Sequence, residues 1–396
     1  MIPRRRYEWS PGFLSIVASA ARAGRLREGT DPRVVCAEIA AALGAGPQDD
    51  AVLTGSGRGA MLVALRALGL KAGDRVLVPG YTFAGVPRAL SAAGLVPVLA
   101  DVDENAALTP DTIAPILQRQ PVQAVVFAHL FGRIADVGPI ADYCRTRRVV
   151  LLEDCAHVAG ARDDAGPVGH VGDAAFFSFD ALKTIAALGG GLSIVRGGSG
   201  QRTVTAKTAS RADLVARVGQ AVAEALLFEG PASRAVGIVA KWVGSGSPPA
   251  GWSQLQSRLV TRQLATLDAR LNARRAMARR VLGAAGIEDP QLAEDARTRG
   301  NAYFALVRTA DRGERDAIVQ MLRGRGIDVG VGRAIADALD ADLPMAKTLS
   351  DTLIQVPVGA RYIDAEIDEI CAAMTTLRGR ATGLGCGVSA WGRTRS

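Results

Sequence analysis

The sequence predicts an α/β protein: a large domain on a mostly parallel sheet, followed by a smaller C-terminal α/β domain. Three observations predict it. Between about residues 52 and 195, short β-rich runs alternate with helical patterns, the signature of a layered strand–helix sandwich. Several of these runs are continuously apolar rather than alternating, as strands covered on both faces must be. The 396 residues, 48% hydrophobic and 22% charged, are also too many for one ordinary core and typical of a globular chain.

In chain order, residues 1–30 predict a helical arm. Arg4-Arg5-Arg6 before the apolar stretch 13–18 has the outline of an export signal, but the stretch is short, broken by Ser15, and lacks a convincing cleavage site. Strands are predicted at 51–53, 75–78, 96–99, 124–127, 149–152, 174–179 and 192–195, and helices at 60–68, closed by Gly69, and 134–147. Residues 31–253 form the large domain. Its end is atypical: two apolar helical patterns fall within 210–245, before the breaker Gly244-Ser245-Gly246-Ser247-Pro248-Pro249. The small domain, 254–378, opens with one long amphipathic helix over 254–282, with Leu255, Leu259, Leu264, Leu267, Leu271 and Val281 roughly on one face. A strand at 302–307, a helix at 314–324, a short strand around Ile327, a strand at 352–356 and a helix near 365–377 follow. Residues 379–396, rich in Gly, Arg and Ser, predict a disordered tail.

The net charge of +8 favours anionic partners by attraction alone. No helix-turn-helix, zinc-finger or RNA-binding signature accompanies it, so nucleic acid is not expected, whereas a phosphorylated or nucleotide-linked substrate is. The five cysteines, Cys36, Cys144, Cys155, Cys371 and Cys386, show no CxxC or paired spacing; neither a disulfide framework nor a metal centre is predicted, and a reducing cytoplasm fits. No run of ~18 uninterrupted apolar residues predicts a membrane span. Segment 210–245, with Arg217, Arg234 and Lys241 among its apolar residues, is a candidate for peripheral contact with a membrane and a lipid-linked substrate, although packing in a core or subunit interface is the favoured reading.

The residues with chemistry gather at predicted strand ends, where α/β sheets bind ligands. Ser56-Gly57-Arg58-Gly59-Ala60 opens a helix after the first strand, so its amides can hold an anion and its glycines allow close approach. Phe83, in Tyr81-Thr82-Phe83, can stack on a flat ring, though in isolation a core aromatic is the slightly favoured reading. Asp154 follows a buried strand, with His157 three residues on; the chain has only two other histidines, His129 and His170. Ser178 leaves the strand that leads to Lys183. A lone lysine is ordinarily a solvated charge, and an Asp after a strand is often a turn cap. Together, Lys183 and Asp154 suggest a Schiff-base lysine for pyridoxal phosphate and a carboxylate that keeps the cofactor's ring nitrogen protonated.

At these residues the chain resembles the DegT/DnrJ/EryC1/StrS family of nucleotide-sugar aminotransferases, of fold type I. The residues that carry the resemblance follow in family order: Ser56-Gly57, Gly73-Asp74-Arg75-Val76-Leu77-Val78-Pro79, Tyr81-Thr82-Phe83, His129-Leu130-Phe131-Gly132, Glu153-Asp154-Cys155-Ala156-His157, Gly169-His170-Val171-Gly172-Asp173-Ala174, and Phe177-Ser178-Phe179 through Lys183. The resemblance implies that Lys183 forms the internal aldimine and shuttles a proton, Asp154 pairs with the ring nitrogen, Phe83 stacks on the ring, and His157 contacts its phenolic oxygen. It further implies that Ser178 and the amides around Gly57 and Arg58 hold the phosphate. A homodimer and a ping-pong transfer from L-glutamate to a keto-sugar nucleotide or related ketone are also implied.

Departures from the family pattern stand at Gly57-Arg58 for Gly-Thr, Lys183-Thr184 for Lys-Asn, and Gly189-Gly190-Gly191 for Glu-Gly-Gly. The Asn/Arg segment that crosses to the partner's active site is not recognisable, and the His-Tyr-Pro segment is missing near Gly330-Val331-Gly332-Arg333. Two alternatives stand beside transfer. One is a PLP-binding but inactive regulatory or interaction protein. The other is a PLP-dependent sugar dehydratase, which Lys183 disfavours because that type replaces the lysine by histidine.

Overall fold

The computed structural model describes residues 1–3, 31–180, 182–204, 251–294, 296–332, 342–381 and 389–390. Most of the expected arm, the whole of segment 210–245 and most of the expected tail lie outside the described residues. The large sheet has eight strands in the order β10-β1-β9-β8-β5-β4-β2-β3. They are β1 (Asp50–Thr54), β2 (Arg75–Pro79), β3 (Val96–Ala100), β4 (Ala124–Ala128), β5 (Val150–Asp154), β8 (Ala174–Ser178), β9 (Gly191–Val195) and β10 (Arg202–Val204). A two-strand hairpin, β6 (Arg162–Asp163) and β7 (Gly166–Pro167), lies between β5 and β8 in the chain. Only β9 runs against its neighbours, β1 and β8; the other pairings are parallel. All seven expected strands of this domain are present, and β4 is buried at every position, which accounts for its unbroken apolar run.

Helices cover both faces, and their starts follow local chemistry. Asp31 caps α1 (Pro32–Ala42) and Ser56 caps α2 (Gly57–Ala67). Helix α3 is Gly85–Ala92; α4 (Pro110–Arg119) starts on a Thr109–Thr112 capping box; and α5 (Gly138–Arg147) ends on Arg148 in the left-handed region. One core lies under α2 and α3, with Met61, Leu65, Leu90 and Phe176; another gathers Ile39, Leu53, Phe177, Phe179 and Trp252. A third joins the large sheet to the C-terminal unit, packing Tyr81, Phe127 and Phe131 with Tyr303, Phe304 and Leu343.

The expected helix over 254–282 is two helices, α6 (Gln254–Leu264) and α7 (Leu267–Ala284). Neither Gly nor Pro marks the break. The carbonyl of Gln263 instead accepts from the Thr266 N–H and the Arg270 guanidinium, while the Gln263 side chain bonds both the N–H and the carbonyl of Ala186. Leu267 and Leu271 belong to the large-domain core, whereas Met277, Val281 and Leu282 belong to the small one, so α7 spans both.

The small sheet has the order β12-β13-β11-β14, from β11 (Ala305–Arg308), β12 (Gly330–Val331), β13 (Leu353–Val356) and β14 (Ser389–Ala390). It packs with α8 (Arg312–Gly324), α9 (Pro344–Thr352) and α10 (Asp364–Ala381). Strand β11 starts later than the expected residue 302 because Asn301 and Phe304 donate to the carbonyls of Gly132 and Phe131 rather than joining the sheet. The strand expected around Ile327 lies at β12; Ile327 pairs with Ile2 instead. The expected tail also carries structure at its start: α10 continues to Ala381, and Ser389–Ala390 pairs with β11.

Next to Asp154, Glu153 is fully buried yet fully bonded. One oxygen accepts from the Val171 and Gly172 amides at 2.8 and 2.7 Å; the other lies 3.1 Å from His129 Nε2. The Ala135 N–H donates to His129 Nδ1, which places the imidazole proton on Nε2, facing Glu153. Burial pushes the Glu153 carboxyl up, but the His129 and amide bonds outweigh it and hold it below its ordinary 4.5. A depressed carboxylate stabilises the fold fully above its unfolded value and loses that contribution as pH falls through the folded value. Glu153→Gln is therefore expected to lower the urea midpoint most above pH 4.5, with the gap from the parent closing in stronger acid. A gap that does not change with pH would contradict this.

Candidate active site

The candidate site lies where the carboxyl ends of β1, β5 and β8 meet. Ser56 is extended, and its hydroxyl accepts from the Gly59 N–H at 3.1 Å, which starts α2 at Gly57. The first amides of a helix have no acceptor within it, and the helix dipole adds positive potential there. Strands β8 and β9 bring Ser178 opposite Gly191, and both press on this helix start. A Cβ at Gly57 would come within 2.7 Å of Ser178 Cβ and 3.0 Å of its Oγ; one at Gly191 would meet Gly57 Cα at 2.7 Å. Only glycine at both positions allows the Ser178 hydroxyl and the helix amides to share one cradle. Arg58, the next residue, is half-buried.

Asp154 ends β5. Its Oδ1 accepts from the Ala156 N–H at 2.9 Å, and among the described residues Oδ2 has no hydrogen-bond partner. Burial pushes its carboxyl up, against the opposing pull of the Ala156 amide and the charge of Lys183. His157 follows one turn later. Its Nδ1 accepts from the Phe131 N–H at 3.3 Å, and its ring stacks on Tyr303 at 4.6 Å between centroids and 18° between planes. Lys183 Nζ lies 5.5 Å from the centroid of the same Tyr303 ring.

Residues beyond 260 hold the segment that carries Lys183. Tyr303 Oη donates to the Leu182 carbonyl at 2.8 Å, and Asn301 Nδ2 reaches Thr184 Oγ1 at 3.3 Å. Arg270 donates to the Thr184 carbonyl at 2.8 Å, and Gln263 grips Ala186 on both sides. Two departures from the family pattern thereby acquire local partners: Thr184 meets Asn301, and the Gly189 carbonyl accepts from Gln256 Nε2 at 2.8 Å. Tyr303, Asn301, Arg270 and Gln263 were not singled out in the sequence. They are remote from Lys183 along the chain, and Tyr303 looked like an ordinary strand residue.

Phe83 is 63% exposed beside Gly85 and makes no ring contact among the described residues. The structure thus joins Gly57 with Ser178, sets Lys183 in electrostatic reach of Asp154, and places His157 and Lys183 near the Tyr303 ring, while Phe83 stays exposed after β2. A cavity of about 870 Å³ opens elsewhere, beside Asp103, His129, Arg133, Asp136, Glu153 and His170, and neither Lys183 nor Asp154 lines it. His129, Glu153 and Cys155 bring candidate ligand atoms within 4.8 Å of one another, but the bonds to Glu153 described above already engage both its oxygens.

Among relatives, the chain is 30% identical over 259 residues to L-glutamine:2-deoxy-scyllo-inosose aminotransferase of Streptomyces fradiae, covering 64% of this chain and 57% of the relative. It is 27% identical over 318 residues to dTDP-3-amino-3,4,6-trideoxy-alpha-D-glucose transaminase of Micromonospora megalomicea subsp. nigra, covering 76% and 78%. Across four scyllo-inosose aminotransferases, the matched portion spans 33% to 63% of their lengths. The aminotransferase TlmJ from Streptoalloteichus hindustanus superimposes with a TM-score of 0.73 at 25% identity, covering 96% of this chain and all of that one. DesV of S. venezuelae, in complex with a ketimine intermediate, shares the fold with a TM-score of 0.70 at 24% identity, covering 95% and 99%. The sequence pattern of one family extends over residues 12–375, nearly the whole chain, and on that match the chain belongs to the DegT/DnrJ/EryC1/StrS aminotransferase family.

Proposed function

We propose that this chain is a pyridoxal-phosphate-dependent aminotransferase that moves an amino group from a glutamate-type amino acid to the carbonyl of a polyhydroxylated cyclic ketone. The ketone is a keto-sugar nucleotide or a related ring ketone. The observation that carries the proposal is that Asp154, at the end of β5, interacts with Lys183, while Ser178, at the end of the adjacent β8, meets the helix start at Gly57, in a chain of this family. The relatives named for a dTDP-sugar and for an inosose support this substrate class, and the net charge of +8 favours an anionic nucleotide.

The residues present fit the cofactor. Ser178 and the amides at Gly57 and Arg58 would hold its phosphate, because a Cβ at Gly57 would fill that cradle. The open Oδ2 of Asp154 suits a protonated ring nitrogen, whose positive charge opposes the effect of burial on the carboxyl. His157 lies one turn along for the phenolic oxygen, and Phe83 is on the exposed side, free to cover the ring. When bound, pyridoxal phosphate supplies an electron sink for charge that develops at the substrate carbon. Lys183 Nζ would tether it and move the proton to and from that carbon. By family precedent the enzyme is a homodimer whose partner completes the substrate side.

The direct test is a half-reaction of the cofactor-loaded full chain with L-glutamate and L-glutamine side by side. Loss of the visible lysine-linked band with stoichiometric release of the 2-oxo acid is expected from at least one donor; a spectrum unchanged by both indicates a binding protein instead. Lys183→Ala is expected to abolish the lysine-linked band and lower turnover by about 10²–10⁴-fold. Asp154→Asn removes the charged acceptor and should cost about tenfold to a hundredfold in kcat, the scale of one charge-assisted hydrogen bond. Parental rates in either variant would contradict these roles. Sedimentation of the active protein should give a dimer, and a fully active monomer would overturn that expectation.

A further inference from the structure

We propose that Tyr303 is a positioning residue that fixes the peptide plane leading into Lys183 and the ring plane of His157. The inference rests on the aminotransferase reading of Lys183 and adds a residue outside the large-domain motifs.

The peptide between residues 182 and 183 is a rigid planar unit. Both of its polar ends are engaged. The Lys183 N–H donates to the Asp180 carbonyl at 2.9 Å, and the Leu182 carbonyl accepts from Tyr303 Oη at 2.8 Å. With both ends held, the plane cannot rock, and the direction in which the Lys183 side chain leaves the backbone is set. The phenol proton is spent on that carbonyl, so Tyr303 acts through geometry rather than as an acid. Its ring does a second task, lying 4.6 Å from the His157 ring at an 18° tilt.

Tyr303 can do this because its own backbone is pinned. The Arg274 guanidinium bonds the carbonyls of Ala302 and Tyr303, and the neighbouring Asn301 N–H donates to the Gly132 carbonyl at 2.8 Å. Arg274 is 4% exposed, and Tyr303 and Phe304 pack in the core shared by the two domains. Of the side chains that hold this segment from outside the large sheet, Tyr303 is the one that bonds the peptide leading directly into Lys183.

Tyr303→Phe in the full chain separates the two tasks, since it keeps the ring and removes the hydroxyl. Loss of one hydrogen bond should lower kcat by about two- to tenfold, with KM for donor and ketone unchanged. In the cofactor-free protein, hydrogen exchange should quicken at the Lys183 and Ala187 amides and not at the β4 or β5 amides. Tyr303→Leu, which also loses the stack on His157, should weaken cofactor binding in addition. A Tyr303→Phe protein with parental kcat and parental exchange overturns the positioning role, as does a loss seen only in thermal stability. Lys183→Ala is measured alongside. If that variant retains the visible band, the reading of Lys183 itself fails; if the band is lost while Tyr303→Phe is unaltered, only the role of Tyr303 fails.

Discussion

The site depends on one steric constraint: the start of α2 must press against the β8–β9 pair. At Gly57 and Gly191 the two backbones approach so closely that a methyl group on either would overlap the other side. This contact brings the Ser178 hydroxyl to the open amides of a helix. The β5–β8 ladder, which pairs Asp154 with Phe176, brings Asp154 alongside the strand that leads to Ser178 and on to Lys183. A helix N-terminus alone is an ordinary feature. One forced against a serine at a sheet's carboxyl edge has the makings of the phosphate cradle proposed above.

A second constraint comes from outside the sheet. Among its described residues, the segment carrying Lys183 forms no regular strand or helix. Its carbonyls and amides are satisfied by side chains from α6, α7 and the entry to β11. Gln263, Arg270, Asn301 and Tyr303 each take a group at Leu182, Thr184 or Ala186. Buried backbone polar groups need partners, and here the partners lie where the small domain joins the large one. Thr184 and Gly189, which depart from the family pattern, both have a partner in this set or beside it.

The large sheet was legible in the sequence because strands buried on both faces appear as unbroken apolar runs, as Val125, Val126 and Phe127 do. The candidate site residues at its ends stood out for the same reason, as polar residues closing such runs: Asp154 after Leu152-Glu153 and Ser178 after Phe176-Phe177. The break between α6 and α7 was hidden, because Gln263, Ala265 and Thr266 carry no breaker and the cause is a tertiary grip on Ala186. Tyr303 was hidden because its contacts with Leu182 and His157 cross 121 and 146 positions, and nothing local to residues 302–304 records them. Glu153, beside Asp154 in the sequence, is instead half of a satisfied core pair with His129. The alternation of a strand explains this: Glu153 and Asp154 point to opposite faces.

The central claim is that Lys183, set by these two constraints, is the residue that bonds pyridoxal phosphate. Borohydride reduction of the loaded protein, followed by proteolysis and mass mapping, tests it directly, because reduction makes the carbon–nitrogen link permanent. The account predicts a single phosphopyridoxyl group on the peptide containing Lys183. A label on another lysine, or none at saturating cofactor, would contradict it.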